Sequence, residues 1–173
     1  MPRVKMDAPP DPVCEVVRSF AINEQINQVL LERLDPAVWQ AKGSGTRSRT
    51  IAAIFAHLHN IRRKWIRLSA PHLKLPALLD RGCTQRQASK ALAVSAARCG
   101  EMIEEALCSA SERAPSFVRD GWARPWPGGP MMVAYMITHE AHHRGQVCML
   151  AHQLGFPLSG ASTSAMWNWE RMF

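Results

Sequence analysis

A chain of 173 residues with 47% apolar and 20% charged side chains has the size and composition of one globular domain, and excludes a disordered one. Its net charge of +7 admits a nucleic-acid surface. The basic residues are spread out, however, and only Arg62, Arg63, Lys64 and Arg67 cluster, interrupted by Ile61, Trp65, Ile66 and Leu68 as on a half-buried helix. That pattern predicts a solvated basic face.

The five cysteines, Cys14, Cys83, Cys99, Cys108 and Cys148, include no Cys-x-x-Cys pair, which argues against a disulfide framework. No apolar core marks the N-terminal stretch MPRVKMDAPPDP as a signal, and no apolar run reaches the ~18 residues of a membrane span. The expectation is a cytoplasmic protein without membrane contact.

Residues 1–11 form a proline-rich leader that ends on Asp11 as a helix cap, with Pro12 in the first helical position. Val16, Val17, Phe20, Ile26, Val29, Leu30 and Leu34 give a helical period from Val13 to Leu34, closed by Asp35-Pro36. After the linker WQAKGSGTRSR, a second helix runs from about Arg49 to Leu68 on Ile51, Ile54, Phe55, Leu58, Ile61, Trp65 and Leu68. Thr84 and Gln87 have the spacing of a capping box, opening a third helix to about Ala110. The glycines and prolines of RDGWARPWPGGP predict a loop. Pro130 opens a fourth helix, Met131 to Leu154, which Gly155 and Pro157 stop. The tail, residues 155–173, ends in aromatic residues expected to fold back. No strand and no internal repeat is predicted. The fold class is all-α, a single-domain four-helix bundle over residues 1–173.

Chemistry concentrates in THEAHHRGQ, Thr138 to Gln146. Residues four apart lie about 40° apart around a helix, so His139 and His143 share a face with Met132, Met136, Leu150 and Leu154. Two inward imidazoles need partners, and a divalent metal satisfies both. On the second helix His57 lies at the edge of the apolar stripe, while His59 points about 200° away, toward the polar side. Three inward histidines on two helices suit Zn²⁺ or Ni²⁺, with coordination positions left for water or substrate. His72 and His152 read as surface or loop residues. His142 lies about 60° off the ligand line, and with Glu140 and Gln146 it is a candidate for orienting ligands or handling protons. Arg144 reads as a solvent-side charge and Gly145 as a close helix contact.

His139-Glu140-Ala141-His142-His143 also fits the His-Glu-x-x-His of zinc proteases, in which the glutamate serves as general base. The extended form of that motif wants glycine and histidine where Gln146 and Met149 stand, and no strand offers an edge to a peptide. The helical pair with His57 explains more.

Together these pieces resemble the DinB/YfiT-like superfamily, the damage-inducible metal-binding four-helix bundles. The resemblance rests on NEQIN with Asn23 and Asn27, on a histidine eight residues before Trp65, on HEAHHRGQ, and on MWNWE in the tail. It implies the ligand set His57, His139 and His143, an up-down-down-up bundle, and a homodimer. Relatives with assigned activity are metal-dependent thiol S-transferases or isomerases using low-molecular-weight thiols. The resemblance therefore implies a thiol and an electrophile as small-molecule substrates, while metal chemistry alone also admits a hydrolase on the same ion. The competing classes are a non-catalytic metal-binding stress-response protein and a basic nucleic-acid module. Arg62 departs from the acidic residue of many relatives.

Overall fold

The computed structural model describes residues 11–43, 49–107, 114–125 and 129–172. The leader up to residue 10, the middle of the first linker, Cys108, the expected helix end at Ala110, and residues 126–128 lie outside them.

Helix α1 spans Pro12–Arg33, with the Asp11 carboxylate accepting from the Val13 amide at 2.9 Å. Asp35 likewise caps a 3₁₀ turn, Pro36–Val38. Helix α2, Ile51–Ser69, is capped by the Thr50 hydroxyl, which accepts from the Ala53 amide. Helix α3, Gln85–Leu107, opens on the expected reciprocal box: the Thr84 amide donates to Gln87 at 2.8 Å, and the Gln87 amide donates to the Thr84 hydroxyl at 3.2 Å. Helix α4 spans Pro130–Gln153 and α5 spans Gly160–Trp167.

Cross-helix contacts fix the directions of the four long helices. Early in α1, Phe20 clusters with Met132 and Met136 of α4, and later Leu30 clusters with Val147 and Ala151, so these two run parallel. Gln28 reaches Ser89 and Gln85 reaches Leu31, so α3 runs against α1. On α2, residue 57 meets 143 while Trp65 meets Tyr135, so α2 runs against α4. The order is up-down-down-up. Parallel α2 and α3 require a crossover, which residues 70–84 supply along the bundle side.

The stretch expected to be only a loop contains a hairpin. Strands β1, Ser116–Arg119, and β2, Trp122–Pro125, pair antiparallel about Asp120-Gly121, where Gly121 takes φ 81°. Its glycine makes the tight turn that permits pairing, and its prolines fall at or beyond the strand end. Phe117 is fully buried against Trp65, and the Val118 amide donates to the Ser69 hydroxyl at 2.9 Å. The hairpin therefore lies against the end of α2.

Two apolar clusters make the core, one around Leu30, Trp39, Phe55 and Leu92, the other around Phe20, Ile66, Met102 and Phe117. Between them lies a buried polar layer that corrects the expected basic face. Arg62 is wholly buried. Its Nε and Nη2 donate to the two oxygens of Glu140, each at 2.6 Å, and its Nη1 donates to Glu24 at 2.7 Å and the Leu92 carbonyl at 3.0 Å. The rest of the cluster is dispersed: Arg63 donates to the Pro76 carbonyl and Lys64 pairs with Asp120. His59 is also buried rather than on a polar side, with its ring nitrogens 2.9 and 2.8 Å from the Ala91 and Ala77 carbonyls. It ties the crossover to α3. The tail does fold back, through α5 on α1 and Met166 on the core, but Trp167 and Trp169 stay exposed.

Candidate metal centre

Three imidazoles converge between α2 and α4. One ring nitrogen from each of His57, His139 and His143 lies within 4.8 Å of the others. A tetrahedral zinc site needs such nitrogens ~3.4 Å apart, from Zn–N distances of about 2.0–2.1 Å, so the rings would have to draw closer together to share an ion. His139 and His143 lie edge to face on one side of α4 with ring centroids 4.7 Å apart, and His57 stands 5.6 and 4.7 Å from them.

The electrostatics suit a cation ligand set. Burial, then the His143 and His139 rings, lower the pKa of His57 to about 4. Burial and His143 bring His139 to about 4, and burial lowers His143 as well. At neutral pH the rings are neutral and present lone pairs. Nδ1 of His139 is buried with no hydrogen-bond partner among the described residues, a costly state that a partner bound at that atom would relieve. Nδ1 of His143 lies 2.7 Å from Gln146 Oε1, so it carries the proton and leaves Nε2 free. The Gln146 amide nitrogen is 3.0 Å from His142 Nε2, which leaves His142 on the exposed side of this short chain.

Glu140 follows His139 in sequence but occupies another place. It is fully buried and receives Arg62, the Asn23 amide at 2.6 Å and the Asn27 amide at 2.8 Å. Burial alone would raise its pKa; Arg62 and then the two asparagines outweigh that and hold the carboxyl below its usual value. With its oxygens committed this way, Glu140 is the bolt between α1, α2 and α4 and is not free to move protons. Arg144 is not a solvent-side charge either: its Nη1 donates to Asn23 Oδ1 at 2.6 Å and Asn27 Oδ1 at 2.9 Å. At Gly145 an added Cβ would meet open space, so no close helix contact requires the glycine.

An aromatic wall missed in the sequence adjoins the histidines. Trp65 meets His139 edge-on at 5.5 Å, and Tyr135, Phe117 and Trp122 extend the wall, with ring separations of 5.9 to 6.3 Å. The Arg119 guanidinium lies 4.9 Å over Tyr135 and 5.5 Å over Trp122. Asp120-Gly121 was the available signal, because a hairpin there brings Phe117, Arg119 and Trp122 to the end of α2.

A four-helix bundle with three histidines gathered between facing helices defines a class of protein whose side chains could hold a metal ion. The DinB family model matches residues 5–169, nearly the whole chain, and the protein belongs to the DinB family. Among curated proteins no match is found.

Proposed function

We propose that this protein is a divalent-metal-dependent enzyme that joins a low-molecular-weight thiol to an electrophilic small molecule, with His57, His139 and His143 as the ligands and Zn or Ni as the ion. The observation that carries the reading is the convergence of three neutral imidazoles from two helices, which leaves coordination positions to other molecules. The bound ion would supply Lewis acidity, lowering the pKa of a thiol or water toward neutrality. The chain's own residues do the rest. Gln146 fixes the tautomer of His143 and, through its amide nitrogen, orients the exposed His142 ring beside it. Tyr135 and Trp122, half-buried in front of the buried Trp65, give an apolar electrophile a face to lie on, and Arg119 adds a positive charge beside it.

The test is a panel of thiols with an aryl halide or epoxide, run beside a panel of activated esters, on protein loaded with Zn²⁺ or Ni²⁺. Thiol-dependent loss of the electrophile, abolished by chelation and by His57→Ala, is the expected result. Ester cleavage alone would make the protein a hydrolase of the same site. A loaded protein inactive in both panels, or a rate unchanged in His57→Ala, would contradict the reading.

A further inference from the structure

A second cavity, of about 410 Å³, lies toward α1 and α5 rather than toward the histidines. Its size is that of a pocket for a small organic ligand. The floor is α4 at Ala141 and Gly145, where no large side chain intrudes. Ile26 and Cys148 continue the apolar lining, and Trp167 and Trp169 form the far wall. That wall is anchored: Met166 packs on the core, and Gln25 donates to the Met172 carbonyl at 3.2 Å. A tryptophan 73% exposed, held in place beside a cavity, offers a ring face with nothing on it.

The pocket's one charged lining residue is Arg144. Nη1 is spent inward on Asn23 and Asn27, and no carboxylate lies within ion-pair distance among the described residues. Nε and Nη2 have no partner among the described residues, yet the buried side-chain nitrogens and oxygens without one reduce, among those residues, to His139 Nδ1. The unused donors of Arg144 are therefore solvent-accessible, and the cavity that Arg144 lines is where they can meet a ligand.

We propose that this cavity is a binding site for a flat apolar carboxylate, its ring on Trp167 and its carboxylate on Nε and Nη2 of Arg144. The fork of two donors matches a carboxylate, and the stacked ring matches the tryptophan wall. The site goes beyond the histidine centre and does not depend on it.

Calorimetric titration of the full chain with 2-naphthoate and with its uncharged amide tests the proposal. Saturable binding of the acid at one per chain is expected, at least about tenfold tighter than the amide, since a hydrogen bond to a charged group contributes that much or more. Trp167→Ala, at an exposed position, should weaken the acid at least about tenfold. Arg144→Gln should erase the preference for acid over amide, and His57→Ala should bind as the parent does. Equal affinity for acid and amide would overturn the proposal, as would unchanged binding in folded Trp167→Ala or loss of binding in folded His57→Ala. Sedimentation decides one further outcome: self-association abolished by Trp167→Ala, with no naphthoate bound, would assign the cavity to a second copy of the chain and overturn the proposal.

Discussion

Replacing Arg62 with methionine keeps the apolar stem and removes the guanidinium from the middle of the bundle. Four hydrogen bonds go with it, two to Glu140, one to Glu24 and one to the Leu92 carbonyl. Glu140 then stands fully buried with only the Asn23 and Asn27 amides opposite a negative charge. Breaking a buried pair in this one-sided way costs about 3–5 kcal/mol, a large share of the roughly 5–15 kcal/mol by which domains are stable. At about 2–4 °C per kcal/mol for a domain of this size, the midpoint should fall by roughly 6–20 °C. The double variant Arg62→Met/Glu140→Gln removes the stranded charge and should lose less than Arg62→Met alone. In the parent, Glu140 has a depressed pKa, so its contribution is present above the ordinary value of 4.5 and is lost as pH falls below it. In Arg62→Met, burial is opposed only by the Asn23 and Asn27 amides and the Arg144 charge, and the sign should reverse: that group then costs stability at neutral pH and recovers it on protonation. Urea unfolding of metal-free protein, followed by circular dichroism at two pH values, reads all three effects. A loss under about 1 kcal/mol in Arg62→Met, or strict additivity in the double variant, would refute the reasoning.

Metal-free protein should also lose stability as pH falls from 6.5 toward 4, because His57 and His139 are held neutral in the fold while the unfolded chain takes up protons at 6.5. His57→Gln/His139→Gln should flatten that part of the profile, and an unchanged slope would contradict the assignment. Gln146→Ala should weaken metal binding about 10- to 100-fold by freeing the His143 tautomer, measured by competition with a chelator. His59→Ala should destabilise by about 1–3 kcal/mol, through loss of its contacts to Ala77 and Ala91, while metal stoichiometry holds.

The helices, their caps and the inward face of α4 were legible because period and cap chemistry are local. His57, His139 and His143 came with them, since three histidines on apolar stripes stand out. What escaped was set by partners distant in sequence. Arg62 fills a gap in the stripe between Leu58 and Trp65, and its burial depends on Glu24 and Glu140, 38 and 78 residues away. His59 is buried by a crossover whose path no local pattern reveals. Glu140 looked catalytic from its place in His-Glu-x-x-His, but the spacing says nothing of the two asparagines that receive it. The hairpin was legible in Asp120-Gly121 and was obscured by the prolines around it.

Elemental analysis of the purified protein after saturation with Zn²⁺ or Ni²⁺ and desalting tests the metal centre most directly. One ion per chain is expected in the parent and in His152→Ala, whose ring is exposed and apart from the cluster, and none in His57→Ala or His139→Ala with the helical spectrum intact. A parent chain that retains no ion, or an ion that survives both ligand substitutions, would contradict the account.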